Sequence, residues 1–127
     1  MRRTLADHIV TGDQAGQLNI TVLDGPGAGG ASHDYSITTD AIGAHGKSLN
    51  ECRIYFQNGP IRENGVNGVT QEALLAIVID RLRSFQKGPC PCRENAIALT
   101  HFEEGLMWLQ RRTLERIKRG VEGTNKE

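Results

Sequence analysis

A chain of 127 residues with 38% apolar residues and fifteen glycines is long enough for one packed domain, and its private core should be thin. Fifteen basic residues balance fifteen acidic ones, yet residues 1–80 carry five basic and nine acidic groups while residues 81–119 carry nine and four. This pattern excludes the strongly basic surface of a long duplex footprint and leaves room for a compact anionic ligand near the second half, and the longest apolar run, Ala73–Ile79, is too short to span a membrane.

Residues 1–16 show no sustained period and predict an irregular arm. Met1-Arg2-Arg3 is basic, but no apolar stretch of signal-peptide length follows, which points to the cytosol. From Gln17 the pattern turns extended: Leu18–Leu23 alternates, Gly25–Gly30 interrupts, His33–Thr38 resumes the alternation, and Arg53–Gln57 is β-branched and aromatic. The first half is therefore expected to be a small antiparallel sheet. Asn58–Gly68 is dense in turn formers and reads as a long connection. Thr70 then offers an N-cap, with Gln71 and Glu72 in the first turn, and predicts a helix to about Gln86 that Gly88-Pro89 stops. Its apolar stripe is Leu75, Val78, Leu82 and Phe85. After Cys90-Pro91-Cys92, the residues Leu99, Phe102, Leu106, Leu109, Thr113 and Ile117 recur at helical steps until Gly120. Two amphipathic helices joined by so short a link must fold back on each other, so residues 70–119 are expected to be an antiparallel hairpin. The fold class is α+β within a single domain, 1–127: an arm (1–16), a β-rich part with its loop (17–69), the hairpin (70–119) and a tail (120–127). A thin core favours an oligomer, in which subunit faces supply the missing burial.

Several features invite chemistry. Gly25–Gly30 has the composition of a phosphate-cradling loop, but no Gly-Lys-Ser/Thr ending follows and the next element is a strand. Cys52, Cys90, Cys92 and His101 add up to four residues that zinc could use, at a spacing unlike that of a zinc ribbon. An odd cysteine count in a cytosolic chain does not suggest a disulfide framework. His33-Asp34-Tyr35 holds acid–base groups, although strand alternation sends Asp34 to the face opposite His33 and Tyr35. No nucleophile motif, carboxylate pair or metal-protease signature is present, and an enzyme is not expected.

The hairpin carries more. Asn95 lies four residues before Leu99 on the same stripe, close to the hairpin tip, and Phe85 lies on the other arm of that tip. An aromatic face and an amide can together stack on and read a purine; a core phenylalanine and a helix-end asparagine bonded to backbone are the alternative. Arg112, Arg116 and Arg119 recur at steps of four and three, a stripe suited to phosphates or simply a solvated basic face. The seventeen residues from Asn95 to Arg112 span about 25 Å of helix, too far for both to reach one small ligand within a chain. A pocket between subunits, with Phe85 and Asn95 from one and Arg112 and Arg116 from its neighbour, removes that difficulty.

The run Phe56-Gln57-Asn58-Gly59-Pro60-Ile61, then Gly65-Val66-Asn67-Gly68-Val69-Thr70, Glu72-Ala73-Leu74-Leu75, Asp80-Arg81-Leu82, Phe85-Gln86, Arg93-Glu94-Asn95, Trp108-Leu109, Arg112-Thr113, Arg116 and the closing Arg119-Gly120-Val121-Glu122-Gly123-Thr124 resembles the phage Thoeris anti-defence protein one family. The resemblance covers residues 17–124, and the C-terminal part also resembles the helical hairpin of the anti-CBASS protein two family. It implies a sponge that sequesters cyclic ADP-ribose isomers without hydrolysing them in the cytoplasm of the infected bacterial host. It also implies binding of cyclic di- and trinucleotides at separate sites by some members, dimers gathered into hexamers, and no cofactor. By this resemblance the base-stacking aromatic and the amide fall on Phe85 and Asn95, the phosphate-binding arginines on Arg112 and Arg116, and a second, cyclic oligonucleotide site on Arg62 and Lys87. Two other classes compete: a signal-degrading enzyme, and a phage structural or nucleic-acid-associated protein that uses the basic helix end. The link Gly88-Pro89-Cys90-Pro91-Cys92 departs from the family, whose members more often carry an aromatic or aliphatic residue at the position of Cys90.

Overall fold

The computed structural model describes residues 2–12, 18–39 and 51–125, and these divide into two compact units, Met1–Gly68 and Val69–Glu127. The architecture is α+β, a four-stranded antiparallel sheet followed by helices. In the first unit the strands β1 (Arg3–Leu5), β2 (Leu18–Val22), β3 (Asp34–Thr39) and β4 (Cys52–Tyr55) lie in sequence order. The segment expected to be an irregular arm thus supplies a strand. It pairs Arg3 with Val22 and Leu5 with Ile20, and His8 Nε2 sits 2.7 Å from the Leu18 carbonyl.

The register puts Val22, Tyr35 and Ile54 in one cross-strand row and Leu5, Ile20, Ile37 and Cys52 in the next, so one face is largely apolar. Val22 is fully buried on it, and Tyr35 meets Phe56 edge-on at 5.5 Å between ring centroids. The opposite face carries Thr21, Ser36, Asp34 and Arg53.

The β2–β3 connection is an ordered loop. Asp24 accepts the backbone N–H groups of His33 and Asp34 at 3.0 and 3.1 Å, and a 3₁₀ turn at Ala28–Gly30 is closed by Gly27 N–H to Ala31 O at 2.8 Å and Gly30 N–H to Gly27 O at 2.9 Å. The Ala28 N–H donates to Asn58 Oδ1 at 3.3 Å. Three of the amides that a phosphate-loop reading would aim at an anion are thus engaged inside the protein.

The long connection after β4 contains a one-turn helix, α1 (Ile61–Asn64), which Pro60 leads in. Its ends are held by a reciprocal amide pair: Asn67 N–H donates to Gln57 Oε1 at 3.0 Å, while the Asn67 side chain accepts from Asn58 N–H at 2.8 Å and donates to Asn58 O at 2.7 Å. Gln57 Nε2 completes the loop by donating to the carbonyls of Gly59 and Gly65 at 3.1 and 2.8 Å. Gly68 then passes so close to β4 that a β-carbon there would lie 2.5 Å from the Phe56 carbonyl carbon.

The second unit is the hairpin of α2 (Gln71–Lys87) and α3 (Arg93–Lys118). Thr70 caps α2 as its sequence predicts, its side chain accepting the Ala73 N–H at 3.1 Å. Arg83 pairs with Glu103 at 2.7 Å, and Gln86 bridges to Cys92, so the two helices run antiparallel from the tip. The inward stripe of α2 is rotated from the expected one. Ile79 is buried, with Leu75, Leu82 and Gln86 half-buried beside it, whereas Val78 and Phe85 are 41% and 40% exposed. On α3, Leu99, Leu106, Leu109 and Thr113 are half-buried, but Phe102 and Ile117 are exposed. Two helices can each bury only the strip that faces the other, and apolar residues beside that strip stay wet.

Candidate functional site

The hairpin tip is built by Gln86. Its Oε1 accepts the Cys92 N–H at 3.1 Å and its Nε2 donates to the Cys92 carbonyl at 3.2 Å, which fixes the link between the helices. Cys92 in turn caps α3, its Sγ accepting the Asn95 N–H at 3.4 Å. Neither role was legible at the outset, because glutamine has no positional signature and cysteine is not a usual N-cap.

Phe85 and Asn95 lie on either side of this link. The Phe85 ring is open to solvent on the outer side of α2 with the Arg81 guanidinium over it at 4.9 Å, which is not the position of a core phenylalanine. Asn95 is half-buried in the first turn of α3, and among the described residues its side-chain amide has no hydrogen-bond partner. α3 then runs without a break for 26 residues, which puts Arg112 about 25 Å along the axis from Asn95. The structure therefore groups Phe85 and Asn95 at one end of the hairpin and Arg112 and Arg116 at the other.

Those two arginines stand differently. Arg112 is exposed. Arg116 is buried, at 7% exposure, and its Nη2 donates to the carbonyls of Val121 and Thr124 at 3.0 and 2.9 Å, with Glu122 at 3.4 Å from its Nε. It folds the closing segment Gly120–Thr124 back onto the end of α3, where left-handed Gly120 (φ 71°) and Gly123 (φ 81°) make the reversal possible. Spacing alone aligned Arg116 with Arg112 and Arg119; the carbonyls that claim its guanidinium come from residues whose course the spacing does not show. Arg119 is the C-cap of α3. Arg62, on α1 of the first unit, and Lys87, the last residue of α2 in the second, are both exposed.

In the first unit a cleft of about 330 Å³ is lined by Asp24, His33, Asp34 and Tyr55 among others. Three of its polar side chains are committed to the fold: Asp24 to the loop amides, His33 Nε2 to the Ala28 carbonyl at 2.9 Å, and Asp34 to Arg53 through paired bonds of 2.6 and 2.8 Å. Asp34 lies on the sheet face opposite Tyr35, as alternation predicts. Hydrogen bonding from Arg53 holds the Asp34 carboxyl below the ordinary carboxylate range, against a smaller opposing effect of desolvation and with help from the charges of Arg53 and Arg2. With the folded value depressed, the stabilisation from this pair is complete above the ordinary range and disappears as pH falls through the folded value. A carboxyl NMR titration should find the midpoint of Asp34 below those of ordinary carboxylates, and Arg53→Ala should raise it toward them.

Cys52, Cys90 and Cys92 are free and exposed, and among the described residues no group of three or more His, Cys, Asp or Glu side chains is arranged to hold a metal ion. No helix among those residues is long and apolar enough to cross a membrane.

Residues 48–114 match the family model described as "Acb2/Tad1, hairpin domain". A curated relative, Thoeris anti-defense 1 of Bacillus phage SBSphiJ7, is 55% identical over 74 residues, which are 58% of this chain and 52% of the relative. The chain spans about half the length of that relative.

Proposed function

Because the chain belongs to the Acb2/Tad1 hairpin-domain family, we propose that it is a phage anti-defence protein acting against Thoeris immunity, and that it binds and sequesters cyclic ADP-ribose isomers without hydrolysing them. The observation that carries this reading is the division of labour along α3. The exposed Phe85 ring of α2 and the Asn95 amide of α3, unpartnered among the described residues, stand at the tip, and the exposed Arg112 stands about 25 Å further along α3. An antiparallel neighbour brings the arginine end of one hairpin to the tip of the other. Phe85 then stacks on adenine, Asn95 hydrogen-bonds its edge, and Arg112 meets the diphosphate. Arg116 is the second arginine proposed for the phosphates, and its Nη2 also holds the carbonyls of Val121 and Thr124 at the end of α3.

The apolar residues that the isolated hairpin leaves wet, Met107, Trp108, Leu114 and Ile117, each more than half exposed, support assembly into dimers and, as in the resembled family, hexamers. Arg62 and Lys87 are the residues proposed for a separate site that takes cyclic di- and trinucleotides. The protein works in the cytoplasm of the infected bacterium, where these signals are made, and requires no cofactor.

The test is capture and release. Purified protein is incubated with cyclic ADP-ribose isomers, freed of unbound ligand, heated and its released nucleotide identified by chromatography. Intact ligand in stoichiometric amount is the expected result. An altered product would replace the sponge with a catalyst, and the absence of captured ligand would overturn the assignment.

A further inference from the structure

We propose that Cys90 and Cys92 are a redox-active thiol pair that closes into a disulfide across Pro91, and that closing it disturbs the end of α3 that carries Asn95. The consequence for ligand binding rests on the proposed function; the thiol chemistry does not.

Both thiols are exposed and unpaired. Cys92 is extended, at φ −147° and ψ 160°, and the ring of Pro91 fixes its φ near −65°, the value of polyproline-type backbone. In polyproline-type or β-extended backbone the α-carbons of residues i and i+2 are about 6.2–6.6 Å apart. That is the upper end of the roughly 4.4–6.8 Å that a disulfide spans. That leaves little slack for the bond, and Cys92 is held in place. Its Sγ caps the Asn95 N–H at 3.4 Å, and its N–H and carbonyl are both held by Gln86, at 3.1 and 3.2 Å. A disulfide here forms against the Gln86 bracket and the cap. It is accordingly strained and readily reduced, the property of a switching bond rather than a structural one.

With a small-molecule disulfide such as oxidised glutathione as oxidant, the thiolate of one cysteine attacks a glutathione sulfur and expels one glutathione thiolate. The thiolate of the second cysteine then attacks the protein sulfur of this mixed disulfide and expels the second glutathione. The two protein thiols lose two protons and two electrons, and the oxidant is reduced to two molecules of glutathione.

Trypsin cleavage after Lys87 and Arg93 places both thiols in one peptide, Gly88–Arg93. Protein equilibrated with oxidised glutathione, alkylated and digested should yield this peptide two hydrogens lighter than its reduced form and without alkyl groups, while Cys52, exposed but on β4 of the first unit, carries a mixed glutathione adduct or an alkyl group. Cys92→Ser keeps a hydroxyl able to cap α3, and should show glutathione on Cys90 instead of the internal bond. Oxidised wild-type protein should retain several-fold less cyclic ADP-ribose isomer, recovered with dithiothreitol, and Cys92→Ser should not respond. Two glutathiones or two alkyl groups on Gly88–Arg93, or a bond between chains, would overturn the pair. Equal ligand retention by the oxidised and reduced forms would overturn its link to Asn95. If the reduced protein captures no nucleotide, the sponge reading fails, and the peptide mass still decides the thiol chemistry.

Discussion

Arg112→Glu abolishes retention of cyclic ADP-ribose isomers and leaves the protein folded. The side chain is exposed near the end of α3, so its replacement should change stability by no more than about 0.5 kcal/mol. At the ligand, a hydrogen bond from a cation to a phosphate oxygen contributes about 1.5–3 kcal/mol, and reversing the charge adds repulsion to that loss. Equilibrium dialysis should therefore show affinity reduced by at least about a hundredfold, with an unchanged circular-dichroism melt. Phe85→Ala removes a stacking partner worth about 1–3 kcal/mol and should weaken binding by roughly ten- to a hundredfold.

Mixing variants separates a pocket between copies from one within a chain. Asn95→Ala and Arg112→Glu are each inactive alone, but a mixed dimer contains one pocket with neither change and one with both. Unfolding and refolding the two variants together should restore about a quarter of the wild-type capacity. A mixture as inactive as its parts would remove the intersubunit pocket.

Gly68→Ala destabilises the first unit. The added methyl would stand 2.5 Å from the Phe56 carbonyl carbon, 2.6 Å from its oxygen and 2.6 Å from the Tyr55 oxygen. All three are backbone atoms at the end of β4, and none can turn aside as a side chain can. The loop must withdraw or the strand must bend, at a cost of about 2–4 kcal/mol. Gly25→Ala is the matched control, because a β-carbon there meets nothing within 4 Å. A thermal melt should separate the two by roughly ten degrees, and coincident melts would mean that residue 68 does not press on β4.

The parts of the fold that the sequence made legible are those where a local rule acts alone. Thr70 and Gly88-Pro89 bound α2 because capping and chain reversal depend on a few adjacent residues, and Leu18–Val22 shows its alternation because a strand puts Leu18, Ile20 and Val22 on one face. β1 escaped notice because three residues are too few to show a period; its pairing with β2 makes it a strand. α1 is a single turn hidden among turn formers and held by Gln57 and Asn67 from outside itself. The rotated stripe of α2 has a related cause. Periodicity marks Leu75, Val78, Leu82 and Phe85 as apolar, but a single neighbouring helix covers only part of that arc, and Val78 and Phe85 fall outside it. Phe85 and Asn95 were legible as a pair because both sit beside a short link. The commitment of Arg116 to Val121 and Thr124 was not, since it depends on a reversal of the chain after α3 ends.

The unbroken course of α3 also bears on which changes the gene can tolerate. Each residue added between Asn95 and Arg112 would turn everything beyond it by 100° and advance it by about 1.5 Å. A one-residue insertion or deletion there would swing the arginine to a different side of the rod, and even a whole-turn insertion that restored the side would offset the two ends by about 5 Å. In the proposed pocket between copies, an exposed position along this stretch can be substituted without moving either end, whereas a change of length moves one end against the other, so the spacing of seventeen acts as a ruler for that pocket.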